Sequence, residues 1–243
     1  YPSKQRLTSL SEGFMRIFVG TSGWYYDWNP EKNLDWYLLH SGLNSVELNA
    51  SFYRFPFPGQ VKKWALQGSG LKWAVKVHRL ITHQHRFSPE AFPVWQNFLS
   101  RFRPLDRFVA FYLFQTPPDF QAPEVFVQFV EKTDLGGRAA LELRNLSLLQ
   151  DERVCARLRE KFTLVSIDSP DIQEKIFPGE CVYLRMHGRS SWYNHDYGET
   201  ELARLADKLL QTKARDIFVF FNNNHAMLKN AQMMYSLLTG RKI

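Results

Sequence analysis

The chain has 243 residues, of which 44% are hydrophobic and 23% are charged. This length fits one α/β barrel, and the apolar content excludes an intrinsically disordered protein. Lysine and arginine outnumber aspartate and glutamate by 31 to 24, and the formal net charge of +7 favours an anionic partner. Nucleic acid is one such partner, although the positive charges are scattered rather than gathered in one stretch.

The chain contains two cysteines, Cys155 and Cys181, which lack the paired spacing of a metal site or a disulfide framework. A reducing cytoplasm is therefore the expected location. No apolar run approaches the ~20 residues needed to span a bilayer, so no membrane partner is expected. Residues 1–14 lack the apolar core of a signal peptide. They are predicted to be a flexible extension that precedes a single barrel domain over residues 15–243.

Short apolar, β-branched or aromatic runs predict eight β-strands. Several of these runs show little alternation, as expected for parallel strands that are covered on both faces. In chain order, the predicted strands are residues 17–19, 46–48, 73–77, 108–114, 139–143, 164–167, 182–186 and 217–221.

Segments with helical spacing lie between most of the predicted strands. The clearest of them places Trp95, Phe98, Leu99 and Phe102 on one helix face. Alternating strands and helices predict right-handed crossovers and a parallel sheet, and eight repeats predict a single (β/α)8 TIM-like barrel. Residues 168–180 include two prolines, so the helix between the sixth and seventh strands is predicted to be short or missing.

Polar residues collect at the carboxyl ends of the predicted strands. A spacing of two residues puts both members of a pair on one strand face. Because helices seal the outer face of a barrel, we expect these side chains to point into its mouth. The pairs are Glu47 with Asn49, Lys76 with His78, Glu142 with Arg144, and Arg185 with His187.

The leading hypothesis is an enzyme that acts on a small anionic substrate, phosphorylated or sugar-containing, at this mouth. An arginine there matches phosphate or carboxylate with two parallel hydrogen bonds, and carboxylates beside cations can act as acid and base. The predicted catalytic residues are Glu142 as general acid or base, Glu47 or Asp168 as its partner, and His187 as the alternative proton carrier. The predicted substrate-binding residues are Lys76, Arg144 and Arg185 for the anion, Asn49, Gln115 and Asn222 for neutral polar groups, Trp24, Tyr53 and Tyr193 as aromatic side chains, and Arg79 and Asn223.

Several alternatives stay open. A divalent-metal-dependent phosphodiester hydrolase or sugar isomerase would use Glu47, Glu142, Asp168 and His187 as ligands, although the cations at the mouth would repel a metal ion. A non-catalytic binding module would bind a nucleotide or single-stranded nucleic acid at the same mouth. The charged residues could also be buried pairs that only fill the barrel. No cofactor is predicted apart from this metal alternative, and the oligomeric state is left open.

Eight stretches near the strand ends, together with a Lys229–Asn230 pair, occur in an order that resembles a known family. They are VGTSGW (19–24), VELNASFYR (46–54), WAVKV (73–77), RLITH (79–83), FQTPP (114–118), LELR (141–144), YLRMHGR (183–189) and FFNN (220–223). Together they resemble the YecE-like family, domain of unknown function 72, from about Met15 to the C-terminus. This resemblance implies a TIM-like barrel and implies no activity.

Overall fold

The computed structural model describes residues 14–241 of the chain. The predicted N-terminal extension therefore lies outside the described residues, except for Phe14. Within the described range, no helix is both long enough and apolar enough to cross a membrane. The division into an extension and one barrel domain stays a prediction.

Nine parallel strands form a nearly closed barrel, which confirms the predicted fold. Neighbouring strands are hydrogen-bonded in the order β6-β5-β4-β3-β2-β1-β9-β8-β7. The strands are β1 (Arg16–Thr21), β2 (Ser45–Leu48), β3 (Lys72–Lys76), β4 (Val109–Gln115), β5 (Ala139–Glu142), β6 (Thr163–Leu164), β7 (Ser166–Asp168), β8 (Cys181–Met186) and β9 (Asp216–Phe221).

The predicted sixth strand is split into β6 and β7. β6 pairs with β5, whereas β7 pairs with β8, so the seam of the barrel lies between these two short pieces. Val165 stands between them and donates its backbone N–H to the carbonyl of Leu141 at 2.9 Å. The split corrects the prediction of one continuous strand over residues 164–167, because a change of pairing partner leaves no mark in so short a sequence.

Eight α-helices surround the barrel in the described part of the chain. The first was not predicted, and Asn33 caps it by accepting a hydrogen bond from the N–H of Trp36 at 2.8 Å. The segment between β7 and β8 has no helix, as predicted, and Lys175 instead bridges back to Ile167. The helices are α1 (Leu34–His40), α2 (Pro58–Gln67), α3 (Ala91–Phe102), α4 (Pro123–Glu131), α5 (Leu146–Gln150), α6 (Glu152–Arg159), α7 (Glu199–Gln211) and α8 (Met227–Thr239).

The barrel interior is packed separately from the core between strands and helices. The part of the interior nearer the amino ends of the strands is apolar. It consists of Ala74, Phe111, Leu113, Ala140, Val165, Tyr183, Phe218 and Phe220. Side chains two positions further along a strand lie on the same face. Ala140 and Tyr183 point into the barrel, so Glu142 and Arg185 also point inward, in the next layer towards the carboxyl ends of the strands.

Candidate functional site

A layer of buried polar side chains closes the carboxyl end of the barrel interior. Each member lies at or just after the end of a strand, as the spacing predicted. Buried polar side chains are costly unless they are paired, and enzymes of this fold place their catalytic residues at this end of the barrel. This layer is therefore the candidate functional site. We call the following six residues the polar layer: Glu47, Lys76, Gln115, Glu142, Arg185 and His187.

Arg185 joins the two carboxylates of the polar layer. Its guanidinium is fully buried and donates from Nε and Nη2 to the two oxygens of Glu47, at 3.0 and 2.6 Å. Its Nη1 donates to Oε2 of Glu142. All three nitrogens are thus engaged by carboxylates, so Arg185 orients Glu47 and Glu142 and has little capacity left for a substrate anion.

Glu47 is fixed by two further hydroxyl groups. Ser22 Oγ donates to Oε1 at 3.0 Å, and Tyr183 OH donates to Oε2 at 2.5 Å. Burial and the neighbouring carboxylate of Glu47 raise the pKa of Tyr183 well above its ordinary value, so the phenol stays protonated. Glu47 therefore accepts bonds from three side chains and is held rigidly.

Glu142 accepts hydrogen bonds from four side chains. The donors are Gln115 Nε2 at 3.0 Å, Arg144 Nη1 at 3.0 Å, Arg185 Nη1, and His187 Nε2, which lies 2.9 Å from Oε1. Burial alone would raise the pKa of Glu142, but Arg185, His187 and Arg144 together hold it well below its ordinary value. Glu142 is consequently an ionised carboxylate and a weak base at neutral pH.

His187 is a buried, neutral imidazole. Burial lowers its pKa to about 4, against the opposing attraction of Glu142. Its Nδ1 lies 3.5 Å from the side-chain nitrogen of Asn222. The tautomer with the proton on Nε2 satisfies both contacts, because Nε2–H can donate to Glu142 while Nδ1 accepts from Asn222.

Lys76 lies in the polar layer without a counter-ion. Only 7% of the residue is exposed, and its Nζ lies 4.2 Å from the centre of the Phe52 ring. Among residues 14–241, no side chain forms an ion pair or a hydrogen bond with this amine. Burial, followed by repulsion from Arg185, lowers the pKa of Lys76 to about 7.

Arg144 connects the polar layer to a cavity. Its Nη1 contacts Glu142, its Nη2 donates to Tyr193 OH at 2.8 Å, and its guanidinium carbon lies 3.9 Å from the centre of the Trp192 ring. The cavity has a volume of about 480 Å³, which suits a small ligand. It is lined by Pro118, Arg144, Asn145, Leu146, Ser147, Asp171, Trp192 and Tyr193. We call it the Arg144 cavity.

Three predicted binding residues meet in a second cavity, lined by the segments that follow β1 and β2 and by α1 and α2. Trp24, Asn49 and Tyr53 line this space of about 690 Å³ together with Ser22, the hydroxyl donor to Glu47. Asn49 Oδ1 is buried and has no hydrogen-bond partner in the described part of the chain. A third cavity, of about 710 Å³, is the largest of the three but lies at the amino ends of the strands, away from the polar layer.

Asp168 belongs to a separate network rather than to the polar layer. It is fully buried and accepts two-pronged hydrogen bonds from Arg189, at 2.9 and 3.0 Å, and a further one from Tyr197 OH at 2.7 Å. Arg189 also contacts Glu174 at 2.9 Å. The structure thus supplies Asp168 with a different partner from the predicted Glu142, and this network ties β7 to the loop after β8.

Two other predicted residues do not join the polar layer. Arg79 is exposed at the surface. Asn223 is buried and donates to the carbonyl of His195 and to Asn230 Oδ1, both at 2.7 Å, so it holds a loop. Within the described chain, no group of three or more His, Cys, Asp or Glu side chains could hold a metal ion. The predicted metal ligands therefore do not form one ligand set.

The predicted site residues do not include Tyr183, Ser22, Phe52 or Trp192. Tyr183 stands two residues before Arg185, so the same face argument could have placed it inside the barrel. Ser22 and Phe52 lie within stretches that carry the family resemblance. Trp192 follows the seventh predicted strand, as Tyr193 does, but its contact with Arg144 depends on the path of a loop.

The loop that carries Trp192 and Tyr193 turns at a glycine. Gly188 has φ +100°, and a Cβ there would lie 2.7 Å from the carbonyl oxygen of Ser191. We expect Gly188→Ala to lower the free energy of unfolding by about 1–3 kcal/mol, since both the conformation and the space are lost. Denaturant unfolding checks this. Gly59→Ala, where no atom lies within 4 Å, is the control and should cause no loss.

Comparisons with known proteins agree on one family. The family model "Protein of unknown function DUF72" matches residues 18–242. The chain is 28% identical to the "UPF0759 protein YunF" of Bacillus subtilis (strain 168), and the match covers 91% of this chain and 94% of that protein.

Solved structures of DUF72 family proteins share the barrel. One from Thermotoga maritima has a TM-score of 0.76 and 25% identity, with 92% of this chain and 99% of that chain covered. One from Enterococcus faecalis has a TM-score of 0.75 and 25% identity, with 93% and 98% covered. The chain belongs to the DUF72 family, as the order of its strand-end stretches indicated.

Proposed function

We propose that the protein is an enzyme that acts on a small anionic substrate, phosphorylated or sugar-containing, at the carboxyl end of the barrel. The observation that carries the proposal is the position of Arg144. Its guanidinium is held by Glu142 and Tyr193, stacks on Trp192 and lines a cavity of about 480 Å³. The fixed guanidinium of Arg144 suits the anionic group of such a substrate, and the aromatic ring of Trp192 suits a sugar ring.

The acid–base role moves from Glu142 to Lys76 in this proposal. Four donors make Glu142 a weak base, whereas the pKa of Lys76 is lowered to about 7, which suits proton transfer at neutral pH. Glu142 then holds Arg144 at the cavity, and Arg185 and His187 hold Glu142 in place. Neither the metal-dependent alternative nor nucleic-acid binding gains a specific observation, and the cytoplasmic location stays an expectation.

Inorganic phosphate tests the anion site through the melting temperature. At ten times its dissociation constant, a ligand adds about 1.4 kcal/mol, roughly 3–6 °C for a chain of this size. We expect phosphate to raise the melting temperature of the wild type above that in chloride of equal ionic strength. Arg144→Gln should lose most of this shift.

A surface arginine provides the control for this experiment. Arg157 pairs with Glu124 in a half-exposed position outside the Arg144 cavity, so Arg157→Gln should keep the wild-type shift. An equal phosphate shift in Arg144→Gln and in the wild type would show that the anion binds elsewhere. No phosphate-specific shift in any of the three proteins would contradict the proposal for phosphorylated substrates.

A further inference from the structure

Lys76 is an unusual lysine, because it is buried without a carboxylate to compensate its charge. A buried ammonium normally gains an ion pair, since removing the charge from water is expensive. Here the two nearby carboxylates, Glu47 and Glu142, are both engaged by Arg185. A lysine that only filled the barrel would be replaced at lower cost by an apolar side chain of similar shape.

The surroundings of Lys76 favour the neutral amine. The charged and titratable groups that act on it are Arg185 from β8, Glu142 from β5, Arg144 just after β5, Glu47 from β2, and His83 from the turn after β3. Burial and the two arginines outweigh the two carboxylates, so the pKa falls to about 7. The ring of Phe52 lies against the amine and keeps that side apolar. About half of the amine is then unprotonated at neutral pH.

A neutral lysine amine in the polar layer, at the carboxyl end of the barrel where Arg144 borders its cavity, is a nucleophile for carbonyl carbon. Its lone pair attacks that carbon and forms a C–N bond, while the carbonyl oxygen takes up a proton to give a carbinolamine. The C–O bond then breaks as C=N forms, and the oxygen leaves as water. The sum converts a carbonyl compound, the neutral amine and one proton from solvent into an iminium ion and water, and it needs neither an oxidant nor a reductant.

We propose that Lys76 forms a Schiff base with an aldehyde or ketone group of the substrate. The inference rests on the proposed function, in which Arg144 holds the anionic group of the same molecule, and it makes Lys76 the nucleophile of that site in place of its acid or base. The substrate class is therefore a small phosphorylated or carboxylated carbonyl compound. The iminium ion withdraws electrons from the neighbouring carbon, so reactions that break a bond to that carbon become accessible.

Reductive trapping tests this inference with two probes. Glycolaldehyde phosphate carries an aldehyde and an anion, and glycolaldehyde carries the aldehyde alone. Each is incubated with the folded protein and cyanoborohydride near pH 7, and the modified lysines are identified by peptide mass mapping over time. We expect Lys76 to be modified on the order of 10–100-fold faster than exposed lysines, whose amines are almost fully protonated there.

Three variants make the outcomes distinct. Lys76→Met should lose the fast modification, and Lys132→Met, which removes an exposed lysine, should keep it. Arg144→Gln should keep fast trapping by glycolaldehyde but lose the advantage of the phosphorylated probe. Melting temperatures show that each variant is folded.

Failure of the two proposals would look different. If Lys76 reacts no faster than Lys132 with either probe, the Schiff-base inference is overturned, even where glycolaldehyde phosphate still protects the protein against heat. If Lys76 reacts fast but both probes behave alike in the wild type and in Arg144→Gln, the amine is reactive and the anion site of the proposed function is contradicted.

Discussion

Arg185→Met is expected to lower the free energy of unfolding by about 3–5 kcal/mol, roughly 6–20 °C in melting temperature. The guanidinium is fully buried and is the shared partner of Glu47 and Glu142. Its removal leaves two buried carboxylates close together without their main counter-ion. Methionine keeps much of the volume, so the loss reflects charge rather than a cavity. Denaturant unfolding at neutral pH measures it.

A triple variant separates the ion network from packing. When Glu47→Gln and Glu142→Gln are added to Arg185→Met, no uncompensated charge is left among these three positions, and most of the lost stability should return. Arg157→Met breaks a half-exposed pair and should cost no more than about 1 kcal/mol. A loss for Arg185→Met as small as that for Arg157→Met would contradict the buried network.

Lys76→Met is expected to act in the opposite direction and to stabilise the protein. The pKa of Lys76 is about 7 in the folded chain and 10.5 in a model peptide. At neutral pH the unfolded chain therefore binds a proton that the folded chain holds only half the time. A shift of this size corresponds to roughly 4 kcal/mol at pH 7. Methionine removes this penalty, and denaturant unfolding of the two proteins measures the difference.

The pH dependence identifies the cause of this stabilisation. Because the folded pKa is depressed, the penalty in the wild type is fully present below about pH 7 and fades as the pH rises towards 10.5. The advantage of Lys76→Met should therefore be constant at acidic pH and shrink by about 1.4 kcal/mol per pH unit above pH 7.5. An advantage that does not change between pH 6 and pH 9.5 would indicate packing rather than ionisation.

A stabilising substitution in the polar layer would also bear on function. Sites that act on substrates often keep groups that the folded chain alone would not favour. If Lys76→Met gains stability while the fast reaction with aldehydes is lost, Lys76 is retained for chemistry. The alternative that the charged residues at the mouth are buried pairs with only a structural role would then be excluded for Lys76.

The sequence could predict the barrel and the residues at its mouth because strand geometry is regular. A residue two positions after a buried one lies on the same face, so Ala140 and Glu142 both point inward. Parallel strands bring their carboxyl ends to one edge, which gathers Glu47, Glu142 and Arg185 without further information. The split of the sixth strand was missed, because four residues of sequence do not show which neighbouring strand each of them pairs with.

The spacing of residues along the strands could not predict which side chains at the mouth form hydrogen bonds with each other. Arg144 and Arg185 have the same residue type and similar positions, yet only Arg185 lies within a strand between two carboxylates. Asp168 lies at a strand end like Glu142, but a loop brings Arg189 to it. Such contacts depend on the rotation around the barrel and on loop paths.

The ionisation state of Lys76 was equally hidden, since it depends on which carboxylates are already engaged. The structure shows that Arg185 engages both of them, so the amine is left without a counter-ion among the described residues. Because this pairing could not be inferred from the sequence, Lys76 was predicted to be an anion-binding cation. We propose a different use, as an amine whose pKa burial lowers to about 7.

The most direct test of this account is the pKa of Lys76 itself. Lysine-selective ¹³C labelling and NMR titration would follow each Cε signal with pH, and the signal absent from Lys76→Met would assign the residue. We expect this signal to titrate near pH 7, several pH units below those of exposed lysines. A midpoint near 10.5 would mean that Lys76 is an ordinary cation, and both its acid–base role and its Schiff-base chemistry would be contradicted.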